Sequence, residues 1–277
     1  MQTYTLNNGS RLPALCIGTN RMDLKKLISI LNGAIDAGIF FFDSARDYAN
    51  EPLVGEALEI VLSNKGLKRE DVFITTKVGN GQQISKNMQQ EIDLSLRNLK
   101  TDYVDLWMLH WPLPDYFTDN MRQMEQIKQS GKVRAIGLAN PRVRHLKNLY
   151  DETGITPQVI QIEHHPFRFS KDILDYCATN NIQIEAYSPL CFMIEKLREN
   201  AVLKEIAARY NKSLGQIVLR WHYQHHIIPV FRSEKPSRFR ENVNIFDFEL
   251  SLEDMNRIYA LDEDYKFIPE SLHCLGY

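Results

Sequence analysis

Eight short runs rich in Val, Ile and Leu punctuate this chain, each followed by a longer stretch with helical spacing, and that alternation limits the possible folds most. The runs are Leu15–Gly18, Ile39–Asp43, Val72–Val78, Tyr103–His110, Val133–Leu138, Val159–His164, Ile182–Tyr187 and Ile227–Phe231. Most are continuous, not alternating. Strands buried on both faces read this way, as in a parallel sheet covered by helices. Between the runs, Leu24, Leu27, Ile28, Leu31 and Ile35 share one helical face, as do Met88, Ile92, Leu96 and Leu99. Val202, Ile206 and Tyr210 open a further helical pattern that continues from Ser213 to His222. Ser85, Ser170, Ser213 and Ser251 read as helix N-caps, the last with Asp254 three residues on. Ahead of the first run, Tyr4–Leu6 and Arg11–Leu15 flank Asn8-Gly9, which predicts a hairpin.

Eight strand–helix units in 277 residues predict a (β/α)8 TIM barrel with an N-terminal β-hairpin. An open doubly wound sheet usually has a glycine-rich turn after its first strand; Gly18-Thr19-Asn20-Arg21 is not one. No repeat or linker interrupts the chain, so residues 1–277 read as a single domain. A net charge of −2 gives no broad basic field, so nucleic acid is not an expected partner. Cys16, Cys177, Cys191 and Cys274 are far apart and read as reduced thiols of a cytoplasmic protein, Cys191 as a buried, inert one. The start lacks a signal-peptide pattern, and no apolar stretch is long enough to suggest a membrane span. The pairs His164-His165 and His225-His226 are not expected to hold a metal, because neighbours on a strand face opposite ways.

In such a barrel the chemistry lies where the strands end. The second run ends in Asp43-Ser44-Ala45-Arg46-Asp47-Tyr48, the third in Thr75-Thr76-Lys77 and the fourth in His110-Trp111-Pro112. A carboxylate, a phenol, an ammonium and an imidazole are thereby predicted on one rim. Each alone has an ordinary structural explanation, as a cap, a rim charge or a packing residue. Four at consecutive strand ends make a candidate site. The use of Lys77 as a Schiff-base lysine in an isomerase or aldolase remains open at this level.

The pattern Asp43-x-Ala45-x-x-Tyr48-x-Asn50-Glu51-x-x-Val54-Gly55-x-Ala57-Leu58, with Gly38 before it, resembles the signature of the aldo-keto reductase family. Further blocks follow in the family's order. They are Ile74-Thr75-Thr76-Lys77, Leu96-x-x-Leu99-x-x-Asp102-Tyr103-Val104-Asp105-Leu106, Leu109-His110-Trp111-Pro112 and the segment 131–137. Gln161-x-Glu163-x-His165-Pro166, Tyr187-Ser188-Pro189-Leu190 and Phe246-Asp247-Phe248 complete the series.

The resemblance implies an NADPH-dependent oxidoreductase that reduces an aldehyde or ketone, with Tyr48 as proton donor and Asp43, Lys77 and His110 around it. Lys77 is expected to lower the tyrosine pKa from its ordinary value near 10. His110 is expected to orient the substrate oxygen, and Trp111 and Asn20 to line the substrate pocket. By the same resemblance, Gly18, Thr19 and Asp43 lie near the cofactor. Asn140 and Gln161 hold the carboxamide, Tyr187 stacks on the nicotinamide, and Ser188 and Leu190 meet the pyrophosphate. Arg232, Ser233, Arg238, Glu241 and Asn242 take the adenosine end, and the arginines suit a 2′-phosphate.

Two positions depart from the family pattern: Ala139 stands where Ser is usual and Ile160 where Asn is usual. Together they are expected to remove two hydrogen bonds, costing roughly 1–3 kcal/mol of nicotinamide orientation. Asn20 and a short tail, Phe267–Tyr277, suggest an open pocket for a polar carbonyl such as a sugar. A monomer or weak homodimer acting on a small molecule is expected. The contrasting reading is a nucleotide-binding regulatory or sensor subunit with little turnover.

Overall fold

The computed structural model describes residues 2–233, 235–268 and 274. Its first two strands, β1 (Thr3–Thr5) and β2 (Arg11–Pro13), form the antiparallel hairpin. Eight parallel strands then close into a barrel: β3 (Cys16–Gly18), β4 (Phe41–Asp43), β5 (Phe73–Val78), β6 (Val104–Leu109), β7 (Val133–Ala139), β8 (Val159–Glu163), β9 (Gln183–Tyr187) and β10 (Ile227–Phe231). β10 pairs with both β9 and β3, so the barrel has no free edge. The predicted fold is the observed one. The predicted strands are one or two residues too long at several ends, where backbone pairing stops before hydrophobicity does.

Side chains alternate between the two faces of each strand, which divides the protein into two kinds of core. Outward residues such as Ile17, Phe42, Ile74, Trp107, Ile136 and Ile160 pack against the surrounding helices. Inward residues Cys16, Phe41, Leu106, Met108, Ala135, Val159, Ile228 and Val230 fill the lower half of the barrel. Leu6 and Leu12 of the hairpin join that inner cluster, so the hairpin plugs the barrel floor. Above the plug the inward layer is polar: Asp43, Lys77, Gln161 and Glu185 are all at most 3% exposed.

One of the four expected caps differs and a second makes no capping bond. Ser213 and Ser251 cap their helices as read, accepting from Gln216 N and Asp254 N. Ser85 instead ends a short helix, Asn80–Ile84, and the next helix, Met88–Leu99, is capped by Asn87. Ser170 occupies a cap position without a side-chain capping bond. Asn87 caps in place of Ser85, because its side chain supplies the acceptor directly before the first apolar residue.

Gly55, in the helix Glu51–Lys65, shows how tightly the outer layer is built. A Cβ there would lie 2.4 Å from Asn98 O and 2.8 Å from Leu99 Cα, both backbone atoms. Helix propensity alone favours alanine over glycine by about 1 kcal/mol. Overpacking against immovable backbone opposes it with about 1–3 kcal/mol. Gly55→Ala is therefore expected to lower stability in urea unfolding; a stabilised variant would contradict this account of the packing.

Candidate active site

The register between β4 and β5 pairs Asp43 with Thr75, so Lys77 projects from the same rim two residues further along. Lys77 Nζ meets Asp43 Oδ2 at 2.5 Å and donates to Ser44 O at 3.2 Å. It also lies 5.3 Å above the centre of the Tyr48 ring. The Tyr48 hydroxyl donates to Asp43 Oδ1 over 3.4 Å. The imidazole of His110 meets the Tyr48 ring edge-on, with centroids 5.9 Å apart. The structure thus gathers all four residues expected from the strand ends.

The flanking motif residues explain how a tyrosine in a loop is held there. Tyr48 ends a single helical turn, Arg46–Tyr48, which Ala49 closes in a left-handed conformation at φ 53°. Asn50 Nδ2 donates to Thr19 O, tying this turn to the end of β3. Buried Glu51 accepts from Thr76 Oγ1 at 2.7 Å, and from Arg46 and Asn98. Thr76 faces outward beside inward-facing Lys77, so Glu51 ties the loop to the strand that carries the lysine. Thr19 donates through its hydroxyl to Asp43 O at 2.8 Å.

The electrostatics differ from expectation at Tyr48. Its pKa is raised, to about 12, first by burial and then by the Asp43 carboxylate, which together outweigh the pull of Lys77. The expected lowering considered Lys77 alone; Asp43 contributes the opposing charge, and removal of water penalises the phenolate. Lys77 is also raised: burial favours its neutral form, but Asp43 and then Tyr48 override that cost. The ammonium therefore stays charged and the phenol stays protonated.

One contact was not anticipated. His110 Nδ1 lies 3.0 Å from Asp47 Oδ2. The hydrogen bond to His110 holds the Asp47 carboxyl below its usual range. Gly79 makes room for it, since a Cβ there would fall 1.9 Å from Asp47 Oδ1. Position 47 is unspecified in the motif, so only its place beside Tyr48 hinted at a role.

The expected cofactor residues divide into two groups. Gly18, Thr19, Asn140, Gln161 and Tyr187 lie around the polar layer. Gln161 Nε2 donates to Asp43 Oδ2 at 2.9 Å, Asn140 Nδ2 donates to His110 O at 3.0 Å, and Tyr187 donates its hydroxyl proton to Asn140 Oδ1 at 2.8 Å. A cavity of about 340 Å³ opens beside Asn140 and Tyr187. Ser188 and Leu190 follow β9 in a turn with Ser188 at φ 53°, and Cys191, Phe192 and Met193 are left-handed as well. Such a run in residues with side chains stores strain, a feature that clusters at functional loops.

The second group forms the outer rim after β10. Arg232 donates to Asn20 O at 2.9 Å, joining the ends of β10 and β3 and placing Asn20 between the two groups. Ser233 is buried and braces Lys235, accepting from Lys235 N and donating to Lys235 O. Arg238 and Glu241 are exposed, and Asn242 is buried, on the helix Ser237–Asn242. Of the two departures, only Ala139 faces inward, paired with Gln161. Ile160 points into the outer core, away from the polar layer.

Trp111 is buried beside the site, and its carbonyl accepts from Gln83. The described part of the tail touches the barrel at three residues. Phe267 N and Ile268 N both donate to Glu163, and buried Cys274 contacts Pro112 O through its sulfur. The rest of Phe267–Tyr277 lies outside the described residues. Burial raises the Cys191 thiol, in keeping with an inert group. His164 is stacked on Trp221, and among the described residues no three His, Cys, Asp or Glu converge to hold a metal.

Residues 14–263 match the model of the aldo/keto reductase family. The glyoxal reductase of Bacillus subtilis is 40% identical over 268 residues, covering 96% of this chain and 95% of its own. The methylglyoxal reductase DkgA of Salmonella typhimurium is 35% identical over 267 residues, with the same coverage of 96% and 95%. A Bombyx mori aldo-keto reductase solved in complex with NADP superposes with a TM-score of 0.91 at 27% identity, covering 98% of this chain and 95% of that one. The chain belongs to the aldo/keto reductase family.

Proposed function

We propose that this protein is an NADPH-dependent reductase of small aldehydes and ketones, working as one barrel domain. The observation that carries the reading is the contact set of Tyr48, Lys77 and Asp43 at the strand ends, with His110 facing the phenol. A reduced nicotinamide, when bound, supplies the hydride. The protein supplies position and the proton. Tyr48 Oη donates its proton to the carbonyl oxygen as charge develops there. Lys77 stabilises the phenolate left behind, and Asp43 keeps Lys77 charged and aimed. A phenol raised to about 12 suits this direction, because it keeps its proton until a stronger base, the nascent alkoxide, takes it.

The polar groups fit the proposed cofactor. The cations Arg232 and Arg238 stand on the rim after β10, where a phosphate would find bidentate donors. Gln161, Asn140 and Tyr187 form an amide-rich wall beside the polar layer. The Asp47 carboxylate makes His110 Nδ1 a hydrogen-bond donor, so Nε2 donates to a substrate oxygen when the ring carries its second proton. The names of the relatives point to 2-oxoaldehydes such as methylglyoxal. The contact set favours turnover over a purely sensing role; tight NADPH binding without any turnover would support the sensor.

Tyr48→Phe is expected to lower kcat/KM for aldehyde reduction by about 10³-fold while leaving the NADPH Kd within about threefold. Full turnover in that variant, read from NADPH absorbance, would remove Tyr48 as donor. Arg238→Ala is expected to raise the Kd for NADPH about tenfold, worth about 1.4 kcal/mol, and to leave NADH binding nearly unchanged. Equal weakening of both would argue against 2′-phosphate recognition. Asp47→Ala is expected to move the His110 proton from Nδ1 toward Nε2, read from the ring ¹⁵N shifts. Unaltered shifts would show that Asp47 does not set the tautomer.

A further inference from the structure

The inward layer holds one acid for which the proposed reaction has no use. Glu185, at the middle of β9, is 0% exposed. Apolar Ile228 of β10 is its register partner on one side and Gln161 of β8 on the other. The titratable groups that face it across the barrel are Asp43 of β4, Lys77 of β5 and the Cys16 thiol of β3. A single Gln161 Nε2 donates both to Asp43 Oδ2 at 2.9 Å and to Glu185 Oε2 at 2.8 Å. The other carboxyl oxygen, Oε1, is buried with no hydrogen-bond partner among the described residues. An ionised carboxylate with one bare oxygen, sharing its donor with a second carboxylate, is a costly arrangement in an enclosed interior. A carboxylic acid in the same place is less costly, because it buries no second negative charge.

We propose that Glu185 is a positioning residue of the reaction centre: it orients the Gln161 amide, through that amide holds Asp43 against Lys77, and links the assembly to pH. This rests on the reading of Asp43, Tyr48 and Lys77 as a reducing centre. A flipped amide would set its oxygen against the Asp43 carboxylate, and Glu185 Oε2, accepting from the same nitrogen, holds the amide in the observed orientation. Burial first, and then repulsion from Asp43, push the Glu185 carboxyl up to about 8, against the opposing effects of Gln161 and Lys77. Below that pH, Asp43 and Lys77 balance each other. Above it a second anion stands in the layer, and a phenolate at Tyr48 becomes a third. Proton delivery is thereby slowed as pH rises through this range. Tyr48 itself, at about 12, is not the group that titrates there.

The test uses cofactor-free protein carrying ¹³C at the glutamate side-chain carboxyls. One resonance is expected to titrate between about pH 7 and 9, and to vanish in Glu185→Gln. If that variant does not fold, Gln161→Met serves instead: losing the bridging amide moves the midpoint of the same resonance upward. A spectrum in which every glutamate titrates in the ordinary range overturns the proposal. In turnover, Glu185→Gln is expected to move the alkaline limb of kcat/KM up by about one pH unit or more. An unmoved limb overturns the positioning role. The carboxyl titration is independent of turnover, so it stands or falls separately from the assignment of Tyr48 as donor.

Discussion

The upper half of this barrel is organised around one buried ion pair, Lys77 with Asp43. Both side chains are at most 2% exposed, and the ammonium has given up bulk water altogether. An isolated buried lysine would shed its proton, and an isolated buried aspartate would keep one. Together they stay charged, at a desolvation cost that only good geometry offsets. Removing one partner from such a pair typically costs about 3–5 kcal/mol, because the other is left uncompensated. The geometry comes from adjacent strands in fixed register, so the rigidity of the closed sheet sets the chemistry at its rim.

From that pair the rest of the site follows outward. Tyr48 receives both the field of the lysine and the acceptor of the aspartate. Gln161 shares its amide between Asp43 and Glu185. Enclosure separates the two proton carriers, raising the phenol to about 12 and the glutamic acid to about 8. In the proposed reaction, groups pushed apart in this way take different tasks: one gives up a proton, the other sets the charge of the layer.

The fold and the four strand-end residues were legible in the sequence because both rest on local signals. Buried parallel strands make unbroken apolar runs, and the chemistry falls just after them. What was missed depends on which face a residue takes and on what lies across the barrel. Glu185 sits between Ile184 and Ala186 and looks like a blemish in an apolar run. Counting by twos from Tyr187 would have placed it inward. Alternation next to inward-facing Gln161 would have placed Ile160 outward and removed it from the expected carboxamide clamp. The effect of Asp43 on Tyr48 was also misjudged, since a lysine taken alone predicts a lowered phenol. Asp47 left no pattern to read, because its partner His110 is 63 residues away and Gly79 supplies the space it needs.

The central claim is that this layer aims the hydride of a reduced nicotinamide at a carbonyl carbon and gives a proton to its oxygen. It is tested most directly by incubating the protein with methylglyoxal and NADPH deuterated at the transferable C4 position, and locating the label by mass spectrometry and NMR. The account predicts an alcohol product with one deuterium on the carbon that bore the carbonyl oxygen. An unreduced aldehyde, or an alcohol without deuterium at that carbon, would contradict it.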